Sequence, residues 1–180
     1  MRDVVYEVAC SLDGFIAGPN GEIDWLEVPE ARDATWSYLE AFWASVDTLI
    51  MGRKTYEDMV KQGNPEADQM LASVTPYVFS RTLASVATPN AHLAREDAAA
   101  RVRELKAQPG KRIWLFGGGN FASSMFAADL VDEISINVIP ILLGAGVPLF
   151  VDPGRRVPLD LTETRAMGGG CTMLRYRVAH

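Results

Sequence analysis

A run of three glycines and an asparagine, Gly117-Gly118-Gly119-Asn120, directly follows the apolar segment 111–116. Glycine lets the backbone approach a ligand closely, and a helix that begins here presents free N–H groups and the positive end of its dipole to an anion. The run is therefore a candidate phosphate-binding turn. It lacks the spacing Gly-x-Gly-x-x-Gly of the dinucleotide fingerprint, so a tight strand-to-helix turn without a ligand stays open as the alternative.

A second turn, Gly52-Arg53-Lys54-Thr55, adds two cations and a hydroxyl to a glycine after another apolar segment. At the start of a helix these groups are a good set for a pyrophosphate. The simpler interpretation is that the cations are solvated and that Thr55 caps the helix. Thr55 and Asp58 have the spacing of a capping box, which predicts a helix that starts at Thr55.

A third apolar segment ends at Ser80, and Arg81 and Thr82 follow it, which repeats the combination of hydroxyl and cation. Ligands of parallel α/β sheets bind beyond the carboxyl ends of the strands. If the three turns meet at one edge of one sheet, they form a polyanion pocket in a protein whose net charge is −6. This convergence favours a phosphorylated nucleotide as the ligand.

Strands and helices alternate along most of the chain, which predicts an α/β fold with a mostly parallel central sheet and helices on both faces. The end of the chain predicts an antiparallel hairpin at a sheet edge. The predicted strands are 4–10, 46–51, 75–80, 111–116, 133–139, 159–167 and 171–178. The predicted helices are 31–44, a short helix from residue 55, 94–107 and 121–128.

Two of these helices carry spacing patterns that make specific predictions. Trp36, Leu39 and Trp43 recur at i, i+3 and i+7, which predicts that they form the core-facing stripe of the first helix. Asp97 and Arg101 are four residues apart in helix 94–107, which predicts an ion pair on its outer face.

Length and composition indicate one globular domain, residues 1–180, and the acidic balance argues against nucleic acid as a partner. No apolar run reaches the roughly 20 residues that span a bilayer, and the N-terminus has no signal-peptide pattern, so we expect a cytoplasmic protein without a membrane partner. Cys10 and Cys171 are expected to be buried free thiols. His92 and His180 do not have a metal-ligand spacing, and no metal site is expected.

Several motifs occur in a fixed order along nearly the whole chain. They are Ser-Leu-Asp-Gly-Phe-Ile-Ala at 11–17, Asp-Trp at 24–25, Met-Gly-Arg-Lys-Thr-Tyr-Glu at 51–57, Phe-Ser-Arg-Thr-Leu at 79–83, Leu-Phe-Gly-Gly-Gly-Asn at 115–120, Asp-Glu at 132–133 and Ile-Pro-Ile-Leu-Leu-Gly-Ala-Gly-Val-Pro-Leu-Phe at 139–150. In this combination the chain resembles the dihydrofolate reductase-like superfamily. Within it, the chain is most similar to the C-terminal reductase domain of bacterial riboflavin biosynthesis proteins, the RibD C-terminal domain family.

The resemblance implies an NADPH site and, because members of this branch are frequently homodimers, a homodimer built on the tail strands. By motif position, the cofactor-binding residues would be Ala9 and Ile16 at the nicotinamide, Gly52, Arg53, Lys54, Thr55, Gly117, Gly118, Gly119 and Asn120 at the phosphates, and Ser80 and Arg81 at the adenosine 2′-phosphate. A doubly charged 2′-phosphate needs cations and hydroxyls, whereas a free 2′-hydroxyl commonly meets a carboxylate, so NADPH is preferred over NADH. Segment 18–25 would be a lid that excludes water from hydride transfer.

The chain departs from the family pattern at the catalytic acid. Dihydrofolate reductases place a carboxylate on the first helix, and the family spacing brings Trp36 to that position. Asp33 lies one turn earlier and Glu40 one turn later, and a solvated carboxylate is the alternative for each. Asp13 of the Ser-Leu-Asp-Gly motif either contacts the substrate or only forms the turn. Water, Asp13 and Asp33 therefore stay open as proton sources, and whether the chain turns over folate stays open as well.

The leading hypothesis is a reductase that transfers hydride from NADPH to a C=N or C=O bond of a small, heteroaromatic substrate such as a pterin or an aminopyrimidine. Trp25, Trp36 and Phe116 would form apolar walls for its flat ring. The alternative is an NADPH-binding protein of the same fold without turnover, since the acid is missing. Phosphoryl transfer is disfavoured because neither Gly-x-x-x-x-Gly-Lys-[Ser/Thr] nor a cluster of metal-binding carboxylates accompanies the turns.

Overall fold

The computed structural model of the protein describes residues 1–63, 65–152 and 154–179. The strands are β1 (Val4–Ser11), β2 (Phe15–Ala17), β3 (Val46–Gly52), β4 (Thr75–Phe79), β5 (His92–Ala94), β6 (Arg112–Gly117), β7 (Glu133–Ile139), β8 (Val147–Pro148), β9 (Leu159–Gly168) and β10 (Cys171–Val178). The α-helices are α1 (Arg32–Ala44), α2 (Arg53–Gln62), α3 (Pro65–Ser73), α4 (Ala98–Ala107) and α5 (Gly119–Ala127).

Eight of the strands form one central sheet in the order β5-β4-β3-β6-β1-β7-β10-β9. The strands from β5 to β7 in this order are parallel, whereas β10 runs antiparallel to both β7 and β9. The predicted α/β fold with a mostly parallel sheet and a C-terminal antiparallel hairpin is confirmed. Since the six parallel strands point the same way, their carboxyl ends share one edge, which we call the carboxyl edge.

Side chains from both faces of the sheet are buried, as expected for parallel strands that are covered on both sides. The α5-side core includes Tyr6, Ile50, Leu115, Met125, Phe126 and Ile134. The α1-side core includes Val5, Tyr38, Phe42, Leu49, Met51, Trp114 and Met173. Because alternate residues of a strand point to opposite faces, Val5 and Tyr6 of β1 enter different cores.

The predicted core-facing stripe on α1 is partly confirmed. Leu39 and Trp43 are half-buried and pack against the α1-side core, whereas the position of Trp36 is a correction. The helix buries Tyr38 and Phe42, which are four residues apart and therefore on one face, and Phe42 packs edge-on against Trp114 with ring centroids 5.2 Å apart. Trp36 stays 38% exposed and rests edge-on against the half-buried Trp43. Four of the thirteen residues of α1 are aromatic, so the sequence alone does not show which of these rings face the core.

Helix α2 begins two residues before the predicted start. Its N-cap is Gly52 in an extended conformation, so Thr55 lies inside the first turn and does not cap the helix. The predicted capping box is therefore wrong. The Thr55 hydroxyl is not engaged in a side-chain cap and lies at the edge of the candidate site described below.

Helix α4 begins later than predicted because β5 occupies the segment before it. Asp97 is its N-cap, and the carboxylate accepts a hydrogen bond of 2.7 Å from the backbone N–H of Ala100. The predicted pair of Asp97 with Arg101 is wrong, since the Arg101 guanidinium donates to Glu104 instead, at 2.8 Å.

The described segments contain no helix that is both long enough and apolar enough to cross a membrane. Cys10 and Cys171 are buried and unpaired. In the same part of the chain, no group of three or more His, Cys, Asp and Glu side chains is placed to hold a metal ion, and His180 lies outside the described residues.

Candidate functional site

Helices α2 and α5 begin in contact with each other at the carboxyl edge. A β-carbon at Gly118 would lie 3.0 Å from the Thr55 hydroxyl oxygen, and one at Gly52 would lie 3.3 Å from the β-carbon of Phe121. Strands β3 and β6 are parallel neighbours, so their ends deliver both helix starts to the same place. Glycine at both turns is what permits this approach.

The first turns of these two helices offer N–H groups for a ligand. Gly52 and Gly118 are the N-caps, and neither helix start has a side-chain cap hydrogen bond from the described residues. Gly117 has a φ of +132°, which favours glycine, and the peptide bond between Gly117 and Gly118 is cis. Two adjacent helix starts without side-chain caps present N–H groups and positive dipole ends, which are suited to an anion.

Two of the predicted cations lie at the start of α2. Arg53 donates to Glu57 at 2.9 Å in an exposed i, i+4 pair, which is a weak interaction that a phosphate could replace. Lys54 is exposed. The predicted phosphate-binding residues 52–55 and 117–119 are therefore brought together, and Asn120 is exposed in the first turn of α5.

A second cationic group lies at the ends of β4 and β5, the two strands beyond β3 at this edge. The Ser80 hydroxyl oxygen accepts from the backbone N–H of Leu83 at 2.9 Å and so shapes the turn that carries the exposed Arg81. Arg95, directly after β5, donates to the carbonyl oxygens of Ala84 at 3.0 Å and Arg81 at 3.5 Å. Arg95 was not predicted as a site residue.

The predicted nicotinamide contacts lie at the end of the central strand β1. Ala9 is half-buried and is the register partner of Asn137 on β7. Ile16 is half-buried on β2, which pairs with β8, and it packs against the α5-side core. Since β6 is the other neighbour of β1, the glycine turn and Ala9 follow adjacent strands.

Asp13 is exposed and holds two loops together. Its carboxylate accepts from the Ser11 hydroxyl at 2.6 Å and from the backbone N–H groups of Leu143 at 3.2 Å and Gly144 at 2.8 Å. These hydrogen bonds, of which the one from Ser11 has the largest effect, lower the pKa of Asp13. A carboxyl group with a lowered pKa is ionised at neutral pH and is a poor proton donor.

The predicted aromatic walls do not all lie together. Trp25 and Phe116 both pack against the α1-side core, and Phe116 meets Trp114 edge-on at 4.9 Å. Trp36 is 38% exposed and contacts Trp43, and Asp33 is exposed in the first turn of α1. Tyr38 takes the inward position that Trp36 was predicted to have.

A buried polar group on the α1 side of the sheet was missed. Glu7 of β1 is 6% exposed, and its Oε1 accepts a hydrogen bond of 3.1 Å from the Asn137 amide of β7. Beside it, the Tyr38 and Ser135 hydroxyls share a hydrogen bond of 2.6 Å. The available signal was a carboxylate at position 7 and an amide at position 137, each inside an otherwise apolar strand.

A surface concavity of about 410 Å³ lies at the opposite, amino-terminal edge of the sheet, where it is lined by Met1, Arg2, Asp3, Ala44, Ser45, Gly110, Lys111 and Arg112. Because ligands of parallel sheets bind at the carboxyl ends of the strands, and because the glycine turns and helix starts are there, we assign the candidate site to the carboxyl edge.

Known proteins share this architecture. The chain is 32% identical to the "Uncharacterized protein YyaP" of Bacillus subtilis (strain 168), over 97% of this chain and 94% of that protein. The crystal structure of a "Putative riboflavin biosynthesis protein" from Shewanella sp. PV-4 superposes with a TM-score of 0.83 at 29% identity, over the whole of both chains. A dihydrofolate reductase from Enterococcus faecalis, solved in complex with NADP(H) and RAB-propyl, has the same fold, with a TM-score of 0.65 at 14% identity over 99% of this chain and 97% of that one.

The sequence pattern of the family described as the RibD C-terminal domain matches residues 2–173, which is nearly the whole chain. The fold, the order of the motifs and this match agree with the resemblance inferred from the sequence. The chain belongs to the RibD C-terminal domain family, and its fold is dihydrofolate reductase-like.

Proposed function

We propose that the protein is an NADPH-dependent reductase that transfers hydride to a C=N or C=O bond of a small heteroaromatic substrate, of the pterin or aminopyrimidine type. The observation that carries this proposal is the meeting of two uncapped helix starts and the glycine turn at one sheet edge, next to strand ends that carry cations. Membership of a reductase-like family supports it, as does the NADP(H) complex of a protein with the same fold.

The residues at the carboxyl edge fit a phosphorylated dinucleotide. The pyrophosphate would lie against the N–H groups of Gly118, Gly119 and Asn120 and the start of α2, since a side chain at Gly118 would fill the space beside Thr55. Arg53 and Lys54 would neutralise its charge. This arrangement would give an acidic protein a local site for an anion.

The 2′-phosphate would be held at the ends of β4 and β5. Ser80 and Arg81 are the predicted contacts, and we add Arg95 because its guanidinium lies at the same turn. Guanidinium groups form charge-assisted hydrogen bonds with phosphate, which a free 2′-hydroxyl cannot match. The site is therefore expected to prefer NADPH over NADH.

The reacting groups would meet at the end of β1. The bound cofactor would supply a hydride beside Ala9 and Ile16, and Trp25 and Phe116 would hold a flat substrate ring on the α1 side. Segment 18–25 would close over them and exclude water. Asp13 would organise the neighbouring loop through its hydrogen bonds to Leu143 and Gly144.

Titration with NADPH and NADH, followed by fluorescence transfer from the tryptophans, tests the cofactor assignment. Micromolar affinity for NADPH with much weaker binding of NADH supports it, and pterin and aminopyrimidine acceptors are then screened for NADPH oxidation. Tight NADPH binding without oxidation by any acceptor favours a binding protein without turnover. Failure to bind either nucleotide contradicts the reductase proposal.

A further inference from the structure

Glu7 lies in the middle of the central strand β1 and faces α1. Its side chain is on the same face as Val5 and Ala9, because alternate residues share a face, and Val5 belongs to the α1-side core. Trp25 and Phe116, the proposed walls for the substrate ring, pack against the same core. The carboxyl group therefore lies on the side of the sheet where the substrate is proposed to bind, two residues or about 7 Å from Ala9.

Among the residues that the structure describes, no cation forms an ion pair with Glu7. Asn137 of β7 is the hydrogen-bond partner of the side chain, and Tyr38 of α1 bonds to Ser135 instead. Arg175 of β10 acts on Glu7 only through its charge, and its guanidinium pairs with the carboxylates of Glu163, at 2.8 Å, and Glu133, at 3.5 Å. Burial raises the pKa of Glu7 to about 8, against the smaller opposing effects of the Asn137 hydrogen bond and the Arg175 charge.

The burial of Glu7 favours a carboxyl group that holds its proton at neutral pH. Asn137 donates to Oε1, so Oε2 is the oxygen on which the acid would carry its proton. The Asn137 amide oxygen is itself buried and has no hydrogen-bond partner among the described residues. Unpaired buried polar atoms are rare in folded proteins, and a bound molecule with a hydrogen-bond donor would pair this one.

We propose that Glu7 is the catalytic acid of the reductase and that Asn137 positions it. This inference rests on the proposed function. As hydride from the reduced nicotinamide reaches the carbon of the C=N bond, the Oε2–H bond of Glu7 breaks and its proton forms the N–H bond. The substrate is reduced, the nicotinamide is oxidised, and Glu7 is left as a carboxylate that regains a proton from water after the product leaves.

The other two candidate acids are less suited to this step. Asp13 is exposed, and its carboxylate oxygens accept hydrogen bonds from the Ser11 hydroxyl and from the backbone N–H groups at residues 143–144. Asp33 is exposed at the start of α1. Glu7, in contrast, is buried and lies on the face of β1 that carries Ala9. In this proposal a carboxyl group of the sheet takes the role that dihydrofolate reductases give to a carboxylate of the first helix.

Infrared difference spectroscopy, wild type minus Glu7→Gln, measures the proton on Glu7 without cofactor or substrate. The expected result is a C=O stretch of a protonated carboxyl group at pH 7 that is lost as the pH rises through about 8. With NADP⁺ and 6-methyl-7,8-dihydropterin bound, the band is expected to shift. Absence of the band at pH 7, or a band that the pterin does not move, would overturn the proposal.

The second measurement is single-turnover reduction of 6-methyl-7,8-dihydropterin by NADPH. Glu7→Gln keeps the volume and the acceptor for Asn137 but cannot give up a proton, so the rate is expected to fall by about 100-fold at pH 7. The wild-type rate should decline above pH 8, and the variant should lose this dependence. Asp160→Asn, an exposed strand carboxylate, is the control and should keep the wild-type rate.

The two proposals fail in distinguishable ways. If the wild type does not bind NADPH, the reductase proposal fails. If Glu7→Gln binds NADPH normally and keeps the wild-type rate and pH profile, the reductase proposal stands and the role of Glu7 is wrong.

Discussion

A side chain at Gly118 would collide with Thr55, because its β-carbon would lie 3.0 Å from the Thr55 hydroxyl oxygen. The two residues belong to the first turns of different helices, so this contact measures how closely α2 and α5 approach. The gap that glycine leaves is the space in which we place the pyrophosphate.

Gly118→Ala is therefore expected to weaken NADPH binding by about tenfold, equivalent to about 1.4 kcal/mol. The added methyl group pushes Thr55 away and occupies the phosphate position. Fluorescence titration with NADPH measures the change. Gly154→Ala is the control, because its positive φ of +72° makes alanine costly for the fold while its surroundings are open. Equal affinity losses in both variants would point to general destabilisation and contradict the placement.

Arg81→Ala and Arg95→Ala are expected to weaken NADPH binding by about 10- to 100-fold each and to leave NADH binding unchanged. Each substitution removes a charge-assisted hydrogen bond to the 2′-phosphate, worth about 1.5–3 kcal/mol. Arg165→Ala removes an exposed guanidinium from β9 and should change neither affinity. A parallel loss of NADPH and NADH affinity would place these arginines elsewhere on the cofactor.

The apolar strands could be predicted because their signal is local. Strand β7 was predicted at 133–139 and is observed at Glu133–Ile139, and the ends of β3 and β6 differ from the predictions by one residue. These ends carry the glycine turns, so the position of both turns at the carboxyl edge followed from the sequence. Arg95 could not be predicted as a site residue. It follows β5, which has only three residues and is too short to show the alternating pattern of a strand in the sequence.

The polar group at Glu7 depends on tertiary structure and could not be derived from spacing. Its hydrogen-bond partner Asn137 is 130 residues away, and its burial requires α1 to turn Tyr38 and Phe42 toward the sheet. The sequence of α1 favours Trp36 for that face equally well. Only the packing shows that Tyr38 and Phe42 are buried and that Trp36 is exposed, and this packing covers Glu7.

The burial of Glu7 is expected to make stability fall as the pH rises. The folded protein keeps the proton up to about pH 8, whereas the unfolded chain releases it near the ordinary pKa of 4.5. Between these values the folded state binds more protons, so the free energy of unfolding decreases with pH. Relative to Glu7→Gln, the wild type should lose about 3 kcal/mol between pH 5 and pH 8.

Urea unfolding of both proteins at several pH values measures this difference. Below pH 4.5 the carboxyl group is neutral in both states and the two curves should run parallel. Glu104→Gln, which removes a carboxylate from the exposed face of α4, controls for the loss of one acidic group. Parallel curves from pH 5 to pH 8 would show that Glu7 ionises in the folded protein.

The exposed edge strand β9 is where we expect the homodimer to form. Leu159 and Leu161 are two residues apart, so they lie on the same face of the strand, and they are 40% and 58% exposed. Next to them is an apolar cavity of about 200 Å³ lined by Phe126, Ile134, Phe150, Val157 and Leu159. An unpaired edge with apolar side chains is a surface that favours association with a second chain.

Leu161→Lys is therefore expected to convert a dimer into a monomer in sedimentation equilibrium, because it buries a charge in that interface. Val60→Lys, at an apolar position on α2 that is 45% exposed, should leave the dimer intact, and a wild-type monomer would contradict the prediction.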